Sequence, residues 1–317
     1  MLSSRQFLLP MVGLSLVIWT SLVSAGPLSE RLLFVSEPLG IPKIYSVRPD
    51  GLEVRRLTGR RHGPEWEPEL HGPTGRVVFR SRIDGNDEIF SVDSRGRQER
   101  RLTDHPARDL QPSWSPDGSR VVFATDRWGA FELAALDLEN SRLERLTFDQ
   151  AGSSQPRWSP DGRQIAFVSR RHGNSSLYLL RLEDKSFQRL TFDHRSAVWP
   201  RWSPQGDRIV YQGQKGGRNR PCIRIVEIHS GIDYEVAAEA EGPRYPSWSP
   251  DGSQLLMSAG PPENRSLFRF EVESGELTPL ALRGSLPPSE TDWAKVPLPW
   301  SSPEPLEKAL EAPVPTE

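Results

Sequence analysis

Gln111-Pro112-Ser113-Trp114-Ser115-Pro116-Asp117-Gly118 returns as Gln155-Pro156-Arg157-Trp158-Ser159-Pro160-Asp161-Gly162. It appears again as Trp199-Pro200-Arg201-Trp202-Ser203-Pro204-Gln205-Gly206 and as Tyr245-Pro246-Ser247-Trp248-Ser249-Pro250-Asp251-Gly252. The Trp spacings are 44, 44 and 46. A degenerate copy, Glu67-Pro68-Glu69-Leu70, lies 44 positions before Trp114, and Thr291-Asp292-Trp293 ends 45 positions after Trp248. A fixed period of this length marks an array of identical supersecondary units. Within each unit, Pro presets the backbone of a turn and Gly accepts positive φ, so Ser-Pro-Asp-Gly reads as a hairpin.

Each hairpin leads into a short β-rich run, such as Val121-Val122-Phe123, Ile165-Ala166-Phe167-Val168 or Ile209-Val210-Tyr211. A polar turn, a second run such as Leu177-Tyr178-Leu179-Leu180 and a third run ending in Leu-Thr follow (Leu57-Thr58, Leu102-Thr103, Leu146-Thr147, Leu190-Thr191). Four short strands in about 44 residues form a propeller blade. The expected fold is therefore all-β: a six-bladed β-propeller with four-stranded blades, spanning residues 26–296. The first run, Leu32-Leu33-Phe34-Val35, lacks a Trp strand before it, and the segment around Trp293 lacks a run after it. The two halves complement each other, so the first blade is expected to be closed by a C-terminal strand, which removes a free edge.

The recurring Trp114, Trp158, Trp202, Trp248 and Trp293 are assigned to contacts between neighbouring blades. Trp66, Trp128 and Trp199 lie off this register and are left open. The chain has 317 residues, 42 acids against 40 Lys and Arg, and 36% apolar residues. A net charge of −2 gives no field for a polyanion, so no nucleic-acid partner is expected. One Cys excludes a disulfide framework and a Cys-based metal cage; Cys222, in Cys222-Ile223-Arg224-Ile225, reads as a small buried residue.

Residues 1–25 have the form of a signal peptide: Arg5, an apolar run from Phe7 to Val23, and the small-x-small Val23-Ser24-Ala25. The alternative is an uncleaved anchor, since about 17 residues is the lower limit for a span. With cleavage the expected location is periplasmic or secreted, with no membrane span remaining. Residues 297–317 are Pro-rich and acidic, either a disordered end or, the sharper alternative, a partner-docking peptide.

The repeated Trp-Ser-Pro-Asp-Gly motif resembles the TolB-like propeller family, a six-bladed family with WD-repeat-like blades, over about residues 30–296. The namesake of that family is a periplasmic component of the Tol envelope system that binds a peptidoglycan-associated lipoprotein through its propeller. It carries an α/β domain before the propeller, for which this chain is expected to have no room between residue 26 and the first blade. Similar propellers precede the hydrolase domain of prolyl-oligopeptidase-type enzymes or act as lyases of pectic fragments.

No Gly-x-Ser-x-Gly elbow, His-Glu-x-x-His, phosphate-binding loop or dinucleotide fingerprint is present, and no cofactor is expected. Connections from each Leu-Thr to the next inner strand should converge on one face, where propellers hold ligands. Those loops are 59–66, 104–110, 148–154, 192–198, 237–243 and 283–290, with a summed charge of −3. They carry the candidate binding residues His62, Asp104, His105, Arg108, Asp149, Asp193, His194 and Arg195. One reading is a ring of His and carboxylates able to hold a divalent metal or move protons. The simpler one is that Asp closes each turn on the backbone. The recurrent Asp/Asn/Gly turns at 81–86, 126–129 and 169–174 are sufficiently explained as hairpins rather than calcium loops. The resulting expectation is an exported, monomeric, non-enzymatic propeller that binds a protein or envelope polymer through its loop face. The alternative is a glycan-acting hydrolase or lyase with a His/Asp site at the channel mouth.

Overall fold

A computed structural model describes residues 16–19, 31–36, 41–48, 53–59, 63–192, 196–215, 220–261 and 266–280. Every repeat forms one antiparallel four-stranded meander, and there are six of them. Blade 1 contains β1 (Leu16–Trp19), β2 (Leu32–Ser36), β3 (Lys43–Val47) and β4 (Arg55–Arg56). Blade 2 contains β5 (Glu65–His71), β6 (Arg76–Ile83), β7 (Asn86–Val92) and β8 (Arg100–Arg101). Blade 3 contains β9 (Asp109–Trp114), β10 (Arg120–Trp128), β11 (Ala130–Asp137) and β12 (Leu143–Arg145), and blade 4 contains β13 (Ser153–Trp158), β14 (Gln164–Ser169), β15 (Ser176–Arg181) and β16 (Phe187–Arg189). Blade 5 contains β17 (Ala197–Trp202), β18 (Arg208–Lys215), β19 (Arg220–Glu227) and β20 (Asp233–Val236), and blade 6 contains β21 (Arg244–Trp248), β22 (Gln254–Ala259), β23 (Ser266–Glu271) and β24 (Leu277–Leu280).

The middle strands of each blade are buried on both faces, because each blade is covered by its two neighbours. Val78 and Ile89 of blade 2 meet Trp114 and Phe123 of blade 3. Trp158 joins the core between blades 3 and 4, Trp202 that between 4 and 5, and Trp248 that between 5 and 6. The inter-blade assignment of these four Trp residues holds; Trp293 lies outside the described residues. The indole N–H groups of Trp202 and Trp248 also donate to Arg157 O and Arg201 O of the preceding blade, each at 3.1 Å. Leu33 and Val35 of blade 1 pack with Val77 and Phe79 of blade 2, and Leu32, Phe34 and Tyr45 pack with Leu256 and Leu267 of blade 6. An apolar core between every adjacent pair closes the ring.

Blade 1 differs from the expectation in one respect. Its innermost strand is β1, paired antiparallel with β2 from Leu16 opposite Val35 to Trp19 opposite Leu32. β1 comes from the segment read as a leader, and it takes the place that spacing assigned to the strand around Trp293. Residues 281–317, which hold that strand, lie outside the described residues, as do 1–15 and 20–30. The physical demand is the same in either case: β2 has an inner edge whose N–H and C=O groups need a partner strand.

The Ser-Pro-Asp-Gly turns build themselves from local groups. Gly118 has φ 70°, and its N–H donates to Ser115 O at 2.9 Å. The Ser115 hydroxyl donates to Asp117 at 2.5 Å and accepts from Arg120 N at 2.9 Å. The hydroxyl and nearby backbone N–H groups hold the carboxyls of Asp117 and Asp251 below the usual carboxylate range. Where Gln205 replaces this Asp, Ser203 finds Asp207 instead, at 2.7 Å.

Each complete inner strand also carries a bulge just before its Pro, where the ladder register shifts. Glu67, Gln111, Gln155, Trp199 and Tyr245 sit there with φ of 56°, 57°, 53°, 58° and 54°. A bulge leaves an N–H outside the ladder, and the previous blade supplies an acceptor. Gln111 N donates to Glu67 Oε2 and Gln155 N to Gln111 Oε1, both at 2.8 Å, and Trp199 N donates to Gln155 Oε1 at 2.5 Å. Trp199 and Tyr245 carry no carboxamide to pass on; their rings meet edge to face at 5.3 Å.

Candidate functional site

The connections out of β8, β12 and β16 reach the same face as the β6–β7, β10–β11 and β14–β15 turns, because antiparallel strands reverse at each step. Ion pairs join these loop types among the described residues: Arg108 with Asp126 at 2.8 Å, Arg127 with Asp109 at 2.5 Å and Arg171 with Asp149 at 3.0 Å.

The loops start from a repeated latch. Arg56, Arg101, Arg145 and Arg189 donate from Nε to the carbonyls of Thr58, Thr103, Thr147 and Thr191 at 2.9, 2.8, 2.9 and 2.7 Å. Each Thr hydroxyl accepts a backbone N–H from the third strand of its blade. In blades 2 and 3 that hydroxyl donates to a buried carboxylate: Thr103 to Glu88 at 2.6 Å, and Thr147 to Glu132. Burial raises the Glu132 carboxyl above its ordinary value, against the Thr147 and Arg145 contacts. In blade 4 the same position is Ser176, which accepts from Arg189 at 3.0 Å. The recurring Leu-Thr is thus a fastening of the outer strand, and the Arg before it is part of the fastening.

Among the expected site residues, His62, Asp193, His194 and Arg195 lie outside the described residues. The four that are described do not face one another as a catalytic constellation. Asp104 is exposed and paired with Arg101 at 2.7 Å. His105 N donates to Glu88 Oε1 at 3.0 Å, and its Nδ1 accepts from Ala107 N at 3.0 Å, so the ring closes its own turn. Arg108 is held by Asp126 through both its backbone N–H and its guanidinium, each at 2.8 Å, and lies 4.8 Å from the Phe131 ring centre. Asp149 accepts from Ala151 N at 2.9 Å besides its bond to Arg171. Asp109, at the start of β9, is buried against Arg127 at 2.5 Å. No group of three or more His, Cys, Asp or Glu with metal-binding geometry occurs among the described residues.

The face also carries a band of exposed rings on adjacent blades that no sequence motif singles out. Phe148 is 73% exposed and Phe192 63% exposed, at equivalent places just after Leu-Thr in blades 3 and 4. The Arg145 guanidinium lies 4.7 Å from the Phe148 ring centre and 4.6 Å from Trp128, itself 38% exposed. Arg189 lies 5.2 Å from Phe192. Between them, Arg171 links Asp149 to Tyr178 at 4.8 Å and Phe187 at 4.6 Å, and His172 stacks on Tyr178 with Nδ1 2.5 Å from its hydroxyl. Cation–aromatic stacking fixes the rings while leaving their outer faces in water. One signal in the sequence could have found this band: the position after Leu-Thr is Gly59 or Asp104 elsewhere but Phe in these two blades.

Inside the ring the inner strands are tied across the bore. Arg157 of blade 4 reaches Glu69 of blade 2 at 3.4 Å and donates to Pro112 O and Pro156 O at 3.2 and 2.7 Å. Burial raises the Glu69 carboxyl and lowers the Arg157 guanidinium from their ordinary values. These groups are taken up by bonds to the wall.

An all-β ring of six four-stranded blades with a divergent loop face defines the class of protein. A profile of the TolB beta propeller domain matches residues 58–155 and 149–286, and the chain belongs to that family. Among solved structures it is similar to TolB from Acinetobacter baumannii, at 22% identity and a TM-score of 0.71 over 80% of this chain and 63% of that one. It therefore spans less than two thirds of that protein. It is also similar to an oligogalacturonate lyase in complex with manganese, at 15% identity and a TM-score of 0.60 over 80% of this chain and 74% of that one. A puromycin-hydrolyzing peptidase from Mycobacterium tuberculosis matches at 12% identity and a TM-score of 0.61, over 86% of this chain and 53% of that one. At these identities the similarity shows the fold alone, which a lyase and a peptidase share.

Proposed function

We propose that this chain is an exported, non-enzymatic propeller that binds a protein or an envelope polymer through its loop face, in the periplasm or outside the cell, as a monomer. The observation that carries this reading is the pair of exposed phenylalanines, Phe148 and Phe192, held in register on adjacent blades with Trp128 beside them. Large exposed rings clustered on one face favour a contact surface, since they cost solubility and contribute nothing to the inter-blade cores. Family membership supports an envelope location. The glycan-acting alternative rests on His62, His105 and His194, of which His105 has its Nδ1 engaged by Ala107 N.

Site-specific photo-crosslinking tests the reading. A photoreactive Phe analogue at 148 or 192 is expected to give a discrete adduct in the producing cells, while the same group at Asp161, on the opposite face, gives none. Equal labelling from both faces, or none from 148 and 192, would reject it. Recovery of the adduct in the periplasmic or secreted fraction checks the location.

A further inference from the structure

The band over blades 3 and 4 has unequal charge as well as exposed rings. In blade 3 Arg145 faces the carboxylate of Glu132 at 3.4 Å. In blade 4 Ser176 replaces that carboxylate, and Arg189 bonds only to Ser176, Thr191 O and Phe192 O among the described residues. Arg170 likewise bonds to the Ser175 hydroxyl at 3.3 Å, with no carboxylate among the described residues. Among the described residues, two cations with no carboxylate partner thus lie in the sector that carries Phe192 and Tyr178. A matching occupant presents carboxylates interleaved with large apolar side chains.

The chain supplies such a segment. Residues 297–317 hold Glu304, Glu307, Glu311 and Glu317 against Lys308, a net −3, interleaved with Leu298, Trp300, Leu306 and Leu310. The route is short. β24 is the outermost strand of blade 6 and ends at Leu280 on the loop face, as β12 and β16 do before Phe148 and Phe192. Residues 281–296 alone can span about 50 Å when extended, comparable with the width of a domain of this size.

We infer that the acidic C-terminal segment 297–317 docks on the Trp128–Phe148–Phe192 band of its own propeller, as a tethered ligand that an outside partner must displace. The inference rests on the loop-face reading above and adds its regulation. Tethering gives an effective concentration in the millimolar range, so a free-peptide affinity of about 10–100 μM is enough to keep the band mostly covered.

The test uses a fluorescein-labelled peptide of residues 297–317 and the full chain throughout, read by anisotropy. In one form the chain's own tail is silenced by Trp300→Ser, Leu306→Ser and Leu310→Ser. The peptide is expected to bind the silenced chain at least tenfold more tightly than the wild-type chain. Adding Phe148→Ser and Phe192→Ser to the silenced chain should weaken binding at least tenfold. Both positions are exposed, so unchanged thermal unfolding verifies that the fold is intact. Raising salt from 0.05 to 0.5 M should also weaken binding, because Arg189 and Arg170 supply part of it. Equal affinity for wild-type and silenced chains, no binding, or binding indifferent to Phe148 and Phe192 would overturn the inference. So would a concentration-dependent dimer that disappears on silencing, because the tail then docks on a second copy. Crosslinks from position 148 that persist while the peptide fails to bind would sink the tail and spare the loop-face reading. Peptide binding without any crosslinked partner would do the reverse.

Discussion

The two faces of the propeller obey different rules. On the turn face, Ser115, Ser159 and Ser249 each bond the Asp two residues on, at 2.5–2.6 Å, and every such turn satisfies itself. On the loop face the latch repeats, but the residues after it diverge: Gly59, Asp104, Phe148, Phe192. Uniformity marks what the fold needs from every blade. Divergence, with rings left in water, marks what the fold does not need, and recognition belongs there.

Substitutions should separate the faces by size and kind of effect. The largest loss of stability is expected in neither face but between blades. Trp158→Ala opens a cavity in the core shared by blades 3 and 4 and should cost about 3–5 kcal/mol in chemical denaturation. An unchanged midpoint would show that this Trp is not an inter-blade strut. Next comes the latch. Thr147→Val leaves Glu132 buried without its hydroxyl donor and should cost about 1–3 kcal/mol, whereas Thr191→Val, facing Ser176, should cost less. Equal losses would mean that the carboxylate adds nothing to the fastening.

The pH dependence sharpens the contrast. Burial raises the folded pKa of Glu69, so its contribution to stability is full below the unfolded value near 4.5 and is lost as pH rises through the folded one. The Ser-bonded Asp117 and Asp251 are depressed, so their contribution holds above the unfolded value near 3.8 and is lost as pH falls through the folded one. The melting temperature should therefore rise as pH falls from 7 toward 5 and drop below about pH 4. Glu69→Gln should reduce the slope of the first limb, to which Glu132 also contributes, and leave the second unchanged, and a chain whose melting temperature is flat from pH 7 to 5 would contradict it. The smallest effect on stability belongs to Phe148→Ser, within about 0.5 kcal/mol, since its ring is in water. That substitution should nevertheless abolish partner crosslinking.

Much of the fold was legible. The 44-residue period set the number of blades, and the Trp ending the inner strand of blades 3 to 6 proved to lie between blades because a large ring at that fixed place has one apolar neighbour available. The origin of blade 1's inner strand was not legible, since any short apolar run can satisfy an open sheet edge, and Leu16–Trp19 does so here. The candidate residues were legible as positions on the loop face, not as contacts. His105 and Asp149 stand in the expected loops, yet their atoms are used by Ala107 N, Ala151 N and Arg171. Spacing places a side chain on a face; it does not say whether that side chain already has a partner.

The order of residues by itself determined a ring of six like sheets and which face carries the variable loops, because turn chemistry and alternation act within a few residues. Only the three-dimensional arrangement decided that Phe148 stays in water while Phe167 is buried, and that Arg145 at the end of β12 meets Trp128 at the end of β10. Burial and counter-ion pairing depend on what a neighbouring blade brings alongside, and contacts between blades join residues dozens of positions apart, which no local pattern encodes.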